Sequence, residues 1–215
     1  MRKNFRADLE ALTAQVAAAC NLAGDAMQEA TTALLTADLL RAEDVIGRVD
    51  DFKAVIAEAE EKAFLLMALQ APVASDLRAV IATMQNCADV DRMAALAIHV
   101  AKIARRRHPT HAVPIEVEPV FAEMGRLATS VSTAAGDVLL SVDPRRATHL
   151  RQQDDALDDM RSHLFEVVLA AEWGHGVAAA VDVTLLGRYY ERFADHAVAI
   201  GRRVIYQVHG SRSSA

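Results

Sequence analysis

Aromatic residues make up only 5% of the 215-residue chain, glycine occurs nine times and proline five. Sheet proteins draw on aromatic side chains and break often at glycine and proline, so this shortage argues for a few long helices. Two cysteines, Cys20 and Cys87, are too few for a disulfide framework; both lie in apolar helical patterns and read as free buried thiols. No apolar run reaches the roughly 18–20 residues that a bilayer requires, and the uncharged stretch 63–75 is interrupted by Pro72. The start, Met1 to Phe5, leads into charged amphipathic sequence without the apolar centre of a signal peptide, so a soluble, cytoplasmic protein is expected. An excess of positive charge is also missing. The formal net charge is −6, which lacks the electrostatic footprint of a nucleic-acid binder. Glycine-rich phosphate loops, nucleophile elbows and zinc-type Cys/His spacings are absent too.

What is present is helix. Ala, Leu, Met, Glu, Asp and Arg abound, and apolar residues recur at helical spacing, as in Leu9, Leu12, Val16 and Met27. The punctuation predicts six long antiparallel helices. The first spans 4–35, and the second runs from an Asp38 cap to about Leu69, before Pro72. The third runs from Ser75 or Asp76 to about Ala104. The fourth covers about 119–140, the fifth opens at Asp143-Pro144 and breaks at Trp173-Gly174-His175-Gly176, and the sixth covers about 177–208. Residues 105–118, charged and proline-containing, read as a linker, and 210–215 as a disordered tail.

The second half repeats the first. Gly24-Asp25 answers Gly136-Asp137, Asp50-Asp51 answers Asp154-Asp155, and Asp91-Arg92 answers Glu191-Arg192, in the same order. The expected fold is therefore all-α, a tandem repeat of two three-helix bundles: residues 1–104, then 119–209.

Carboxylates carry the only candidate chemistry. Glu191 and Asp195 stand four apart on the sixth helix, so both project from one face. Asp155 and Asp159, and equally Asp154 and Asp158, do the same on the fifth. Two such helices facing one another would suit a hard cation such as Mg²⁺, Mn²⁺ or iron. Arg188 and Arg192, three residues before Glu191 and Asp195, offer a plainer reading as surface ion pairs. A single Glu172-x-x-His175 lies on a glycine-broken turn with no counterpart on another helix. Arg105-Arg106-Arg107 suits the negative end of a helix dipole.

Two segments look familiar. Ala68 to Arg78, reading Ala-Leu-Gln-Ala-Pro-Val-Ala-Ser-Asp-Leu-Arg, and Glu191-Arg192-Phe193-Ala194-Asp195-His196-Ala197 resemble motifs of the PhoU family, and the likeness covers nearly the whole chain. The resemblance implies a non-enzymatic negative regulator of phosphate uptake and of the phosphate-starvation response. Such a protein bridges a phosphate ABC transporter and a membrane sensor histidine kinase, meets the membrane only through these partners, and forms a homodimer. It also implies a metal ion (Mg, Mn, Fe or Zn) on Glu/Asp-x-x-x-Asp motifs, with Glu191, Asp195, Asp155, Asp159 and Asp91 as ligand candidates. The first repeat departs from the pattern: Asp91 is followed by Ala95 and Leu96, so one working site per chain, or a metal-free adaptor, is expected. The alternative is a metal-carboxylate protein for storage or hydrolysis.

Overall fold

The computed structural model describes residues 2–209, so the tail expected at 210–215 lies outside the described residues. Every element among them is a helix: α1 (Arg2–Thr36), α2 (Leu39–Gly47), α3 (Val49–Gln70), α4 (Ala74–Arg107), α5 (Glu118–Ser141), α6 (Pro144–Leu169) and α7 (Gly176–His209). The caps are those that the sequence announces. The Asp38 carboxylate accepts from the Arg41 N–H at 3.0 Å, and Asp143 accepts from the Arg145 N–H at 2.9 Å with Pro144 in the first turn. α3 ends differently, at Ala71 in the left-handed region (φ 43°), just before Pro72.

Two boundaries differ from expectation. The second helix is interrupted at Arg48, which splits it into α2 and α3. Gly47 is a weak helix former, and the Arg48 N–H turns back to the Val45 carbonyl. α4 also runs on through Arg105, Arg106 and Arg107, which had been assigned to the linker. These residues have work to do across the molecule: Arg106 and Arg107 both grip Asp182 of α7, and Arg107 Nη2 donates to the Ala178 carbonyl at 2.9 Å. The buried Asp182 holds the end of α4 in helical form.

The two halves share a single core. α1 packs on α4 and α5, α4 on α7, and α7 also on α5 and α6. Along the α1/α5 seam, buried positions correspond at a spacing of 112 residues, as in Leu12 and Met124, Ala23 and Ala135, and Gly24 and Gly136. The two glycines allow the close approach. A Cβ on Gly24 would meet the Ser132 Cβ at 3.0 Å, and one on Gly136 would meet the Ala17 carbonyl at 3.1 Å. Tyr190, Phe121 and Phe193 are the largest buried side chains, each worth about 2–3 kcal/mol of apolar burial. The Tyr190 hydroxyl meets Thr31 Oγ1 at 2.7 Å, tying α7 to α1.

Burial also fixes the register of the repeats. On α4 and α7 the correspondence is 100 residues: Met93 with Phe193, Ala94 with Ala194, Ala97 with Ala197. On α3 and α6 it is 101, since Ile56 matches Leu157 and Ala63 matches Leu164. The pairing of Asp50-Asp51 with Asp154-Asp155 read from the sequence is therefore three residues out of register. Asp50 and Asp51 are exposed in the first turn of α3, while Asp154 is buried.

Candidate functional site

α6 presents Ala147, Leu150, Asp154, Leu157 and Leu164 to the core at the three-and-four spacing of a helical stripe. Asp154 occupies an apolar position in that stripe, which is why it is only 8% exposed. α7 runs antiparallel against this face. A Cβ on Gly187 would stand 3.2 Å from Leu164, and one on Gly201 would stand 2.6 Å from Leu150. Between these two contacts lie Glu191 and Asp195 on α7, facing Asp154 and Asp158 on α6.

The electrostatics show that the four acids share one neighbourhood. Burial, with the negative charges of Asp195 and Asp158, pushes the Asp154 carboxyl up from 3.8 to about 6, against the pull of Arg202. Glu191, 7% exposed, is likewise raised by burial. Arg188 opposes that shift, and the charges of Asp195 and Asp158 add to it. Asp154 Oδ1 and Glu191 Oε2 are buried without a hydrogen-bond partner among the described residues. Buried carboxylate oxygens left in this way are costly, and they are the atoms that a cation would satisfy.

The ion pairs expected from the spacing are present. Arg188 pairs with Glu191, Arg192 with Asp195 at 3.0 Å, and Arg161 reaches Asp158 at 3.8 Å. Among the described residues no three His, Cys, Asp or Glu side chains form a set that could hold a metal ion as they stand. A cation at this site would have to displace Arg188 and Arg192 from Glu191 and Asp195. The donor set, hard carboxylate oxygens from two helices with two of them orphaned, fits Mg²⁺, Mn²⁺ or iron.

The structure thus brings together Glu191 and Asp195, and redistributes the other three candidates. Asp155 and Asp159 are exposed, one position beyond the buried stripe; Asp154 and Asp158 hold the places facing α7. Asp91 is half-buried on α4, in the other half of the molecule, with Ala95 and Leu96 where α7 has Asp195 and His196. The signal for Asp154 was available in the sequence. Its spacing from Leu150 and Leu157 puts it on the apolar face, and that takes precedence over its place in an acidic run.

His196 is engaged elsewhere. Its Nδ1 lies 2.7 Å from Asp89 Oδ1 on α4, and Arg203 grips the same carboxylate while donating to Asn86 Oδ1 at 3.0 Å. Against the cost of burial, these contacts hold Asp89 below its ordinary pKa. No pattern in the sequence announces this cross-repeat hub, because its members are more than 100 residues apart. Cys20 and Cys87 are both buried and free, and burial pushes each thiol up to about 12, the condition of an inert thiol.

Comparison with known proteins accounts for the duplicated architecture. The model of the PhoU domain matches residues 16–104 and again 121–204. The chain is 56% identical to the phosphate-specific transport system accessory protein PhoU homolog 2 of Mycobacterium tuberculosis, over 98% of this chain and 99% of that one. The crystal structure of PhoU from Pseudomonas aeruginosa superposes with a TM-score of 0.85 at 25% identity, covering 96% of this chain and all of that one. That of the phosphate transport system regulatory protein PhoU from Streptococcus pneumoniae gives 0.87 at 22% identity, over 98% and all, a likeness of fold. Two matched repeats built on the same buried positions, and a full-length relative at this identity, place the chain in the PhoU family.

Proposed function

We propose that this protein is a cytoplasmic accessory protein of a phosphate transport system. It acts as a negative regulator of phosphate uptake and of the phosphate-starvation response. In this reading it is a non-catalytic adaptor between a phosphate ABC transporter and a sensor histidine kinase. The observation that carries the reading is the end-to-end match to a relative named as a phosphate-specific transport system accessory protein. Among the described residues no helix is long and apolar enough to cross a membrane, so contact with one would pass through partners. Long exposed helical faces suit docking of partner domains, and regulation requires that the adaptor bind two states of a partner with different affinity. A dimer of this chain belongs to the same proposal.

The test is expression of phosphate-starvation genes in abundant phosphate after deletion of this gene, in a strain free of any second copy. Derepression restored by the wild-type chain is expected; unchanged expression refutes the regulator. Calorimetric titration of the isolated protein with inorganic phosphate should show no tight stoichiometric site.

The acidic site between α6 and α7 supports a second element of the proposal. A divalent or ferric ion would lie against Glu191, Asp195, Asp154 and Asp158, cancelling their repulsion and cross-linking the two helices. Protein purified without chelator should carry more metal than the Glu191→Ala/Asp195→Ala variant; equal content removes the site from consideration. If metal content rather than gene regulation tracked with phenotype, storage or hydrolysis would become the better reading.

A further inference from the structure

The helical hairpins α3–α4 and α6–α7 each end in exposed apolar side chains, and the positions correspond. Phe64 on α3 matches Phe165 on α6 at the 101-residue register, while Leu77 and Ile81 on α4 match Val177 and Val181 on α7 at the 100-residue register. All six are at least 36% exposed. The hairpin tips continue these surfaces with Leu69, 74% exposed, and Leu169, 79% exposed. Fractional exposures of this size give on the order of 500 Å² of apolar surface at each hairpin. That is at the upper end of what a monomer shows in a single patch, and the two together exceed the roughly 800 Å² that one partner gives to a standard interface.

The two surfaces face opposite ends of the molecule. Arg106 and Arg107 near the end of α4 hold Asp182 near the start of α7, and Arg203 near the end of α7 reaches Gln85 and Asn86 in the first half of α4. α4 and α7 are therefore antiparallel, and the apolar starts of these helices lie roughly 45 Å apart at 1.5 Å per residue. At the first end the surface opens into a groove of about 350 Å³ between α1 and α3, lined by Ala11, Leu12, Leu65 and Leu69. Acids outnumber bases at both ends. At one hairpin Glu60, Glu61 and Asp76 stand near Arg78 and near Lys62, which pairs with Glu58; at the other Asp159, Glu166 and Glu172 stand near Arg161, whose guanidinium lies 5.7 Å over the Phe165 ring. Among the described residues those six acids form no ion pair.

We propose that these ends are two equivalent docking surfaces for one twofold-symmetric protein partner, each of whose subunits contributes an apolar helix flanked by basic residues. The inference rests on the adaptor reading in requiring a protein partner, and it names the chemistry of that partner. Duplication gives two copies of one surface, so one kind of segment fits both. The acidic rims select cationic flanks and disfavour an anionic bilayer. A second copy of this chain fits less well, because end-to-end contacts at two opposite ends propagate into filaments instead of closing. A partner presenting its segment twice gains by effective concentration, with a span set by the length of the bundle.

The probes are a fluorescent amphipathic Leu/Lys peptide of about 18 residues, long enough for five helical turns, its Leu/Glu counterpart, and the Leu/Lys peptide linked in pairs by a tether that can span the bundle. The full chain should bind two Leu/Lys peptides, bind the Leu/Glu peptide at least about tenfold more weakly, and bind the tethered pair at least about tenfold more tightly than the single peptide. Leu69→Glu/Leu77→Glu should leave one site, Leu169→Glu/Val177→Glu the other, and both sets none. Tethering should then give no gain. These are exposed positions, and unchanged circular dichroism would show that the fold is intact. The proposal is overturned by stoichiometry indifferent to these substitutions, by equal binding of the two peptide charges, by self-association that the end variants abolish, or by end-dependent pelleting with anionic vesicles. Unchanged expression in the deletion test with these results intact would refute the adaptor reading alone.

Discussion

Asp154 stands in an apolar stripe where a leucine would pack, and replacing it by asparagine should stabilise the protein at neutral pH. Raising a carboxyl from 3.8 to about 6 means that ionising it in the folded state costs about 3 kcal/mol more than in the unfolded chain. Relaxation of the site and entry of water reduce that figure, so Asp154→Asn should gain about 1–2 kcal/mol at pH 7.5, or about 3–6 °C in a chain of this size. The sign depends on pH. Because the folded pKa lies above the unfolded one, the wild type has its full stability from this group below pH 4 and loses it as pH rises through 6. The advantage of the variant should therefore be complete at pH 7.5, shrink through pH 6 and vanish near pH 4. Urea unfolding of both proteins with a chelator present measures it, and comparing the pair cancels other titrations. Asp89, held below its ordinary pKa, loses its contribution only at pH values under about 4, outside the range in which the two proteins diverge. An advantage that is the same at pH 4.5 and 7.5, or a less stable variant at pH 7.5, would refute the raised pKa of the buried Asp154 carboxyl.

Three further substitutions probe the scaffold. Gly125→Val should cost about 2–3 kcal/mol, read as a lower urea midpoint, because even a Cβ there would stand 2.6 Å from Thr31 Cγ2, and Thr31 is held by Met27 and Tyr190. Val142→Gly should raise the melting temperature by a few degrees, a gain of about 1 kcal/mol, since Val142 ends α5 at φ 51°, where a β-branched residue is strained. Asp182→Ala should cost about 1–2 kcal/mol, with faster hydrogen exchange in the last turn of α4. It removes the 1%-exposed carboxylate that holds Arg106 and Arg107, although both arginines can regain water.

The helices were legible because their caps are local. Asp38, Pro72 and Asp143-Pro144 act within a turn of themselves, and the spacing of apolar residues marks which face is buried. What exceeded the sequence was set by contact at long range. Arg105 to Arg107 read as linker until Asp182, more than 70 residues later, is seen to hold them in α4. The break at Arg48 lies between two weak local signals, a glycine and a turned-back N–H. At the acidic site the α7 pair was legible by its spacing, whereas on α6 the choice between Asp154 and Asp155 depended on the phase of the stripe. An acidic run taken as a block conceals that phase; Leu150 and Leu157 reveal it.

The register of the repeats shows how duplication and function part ways. Apolar positions correspond along α4 and α7, but polar ones do not. Glu191 and Asp195 face α6 where α4 has Asp91 and Ala95, and His196 faces α4 where α4 itself has Leu96. Asp89, which accepts from His196 and Arg203, has Tyr189 as its counterpart, and that ring stacks on His99 at 5.3 Å instead of joining an ion pair. Where one side of the pseudo-twofold axis has the Asp89–His196 pair, the equivalent place on the other therefore has a ring stack, and charge there sits further along, at Asp182 with Arg106 and Arg107. α7 carries both the acids that face α6 and the histidine and arginine that hold Asp89. Any event that neutralises Glu191 and Asp195, whether a proton or a cation, acts on a helix whose other face is the inter-repeat seam. The first repeat keeps Asp91 on α4 but has Ala95 in place of the second acid, so this coupling can run in only one half of the molecule.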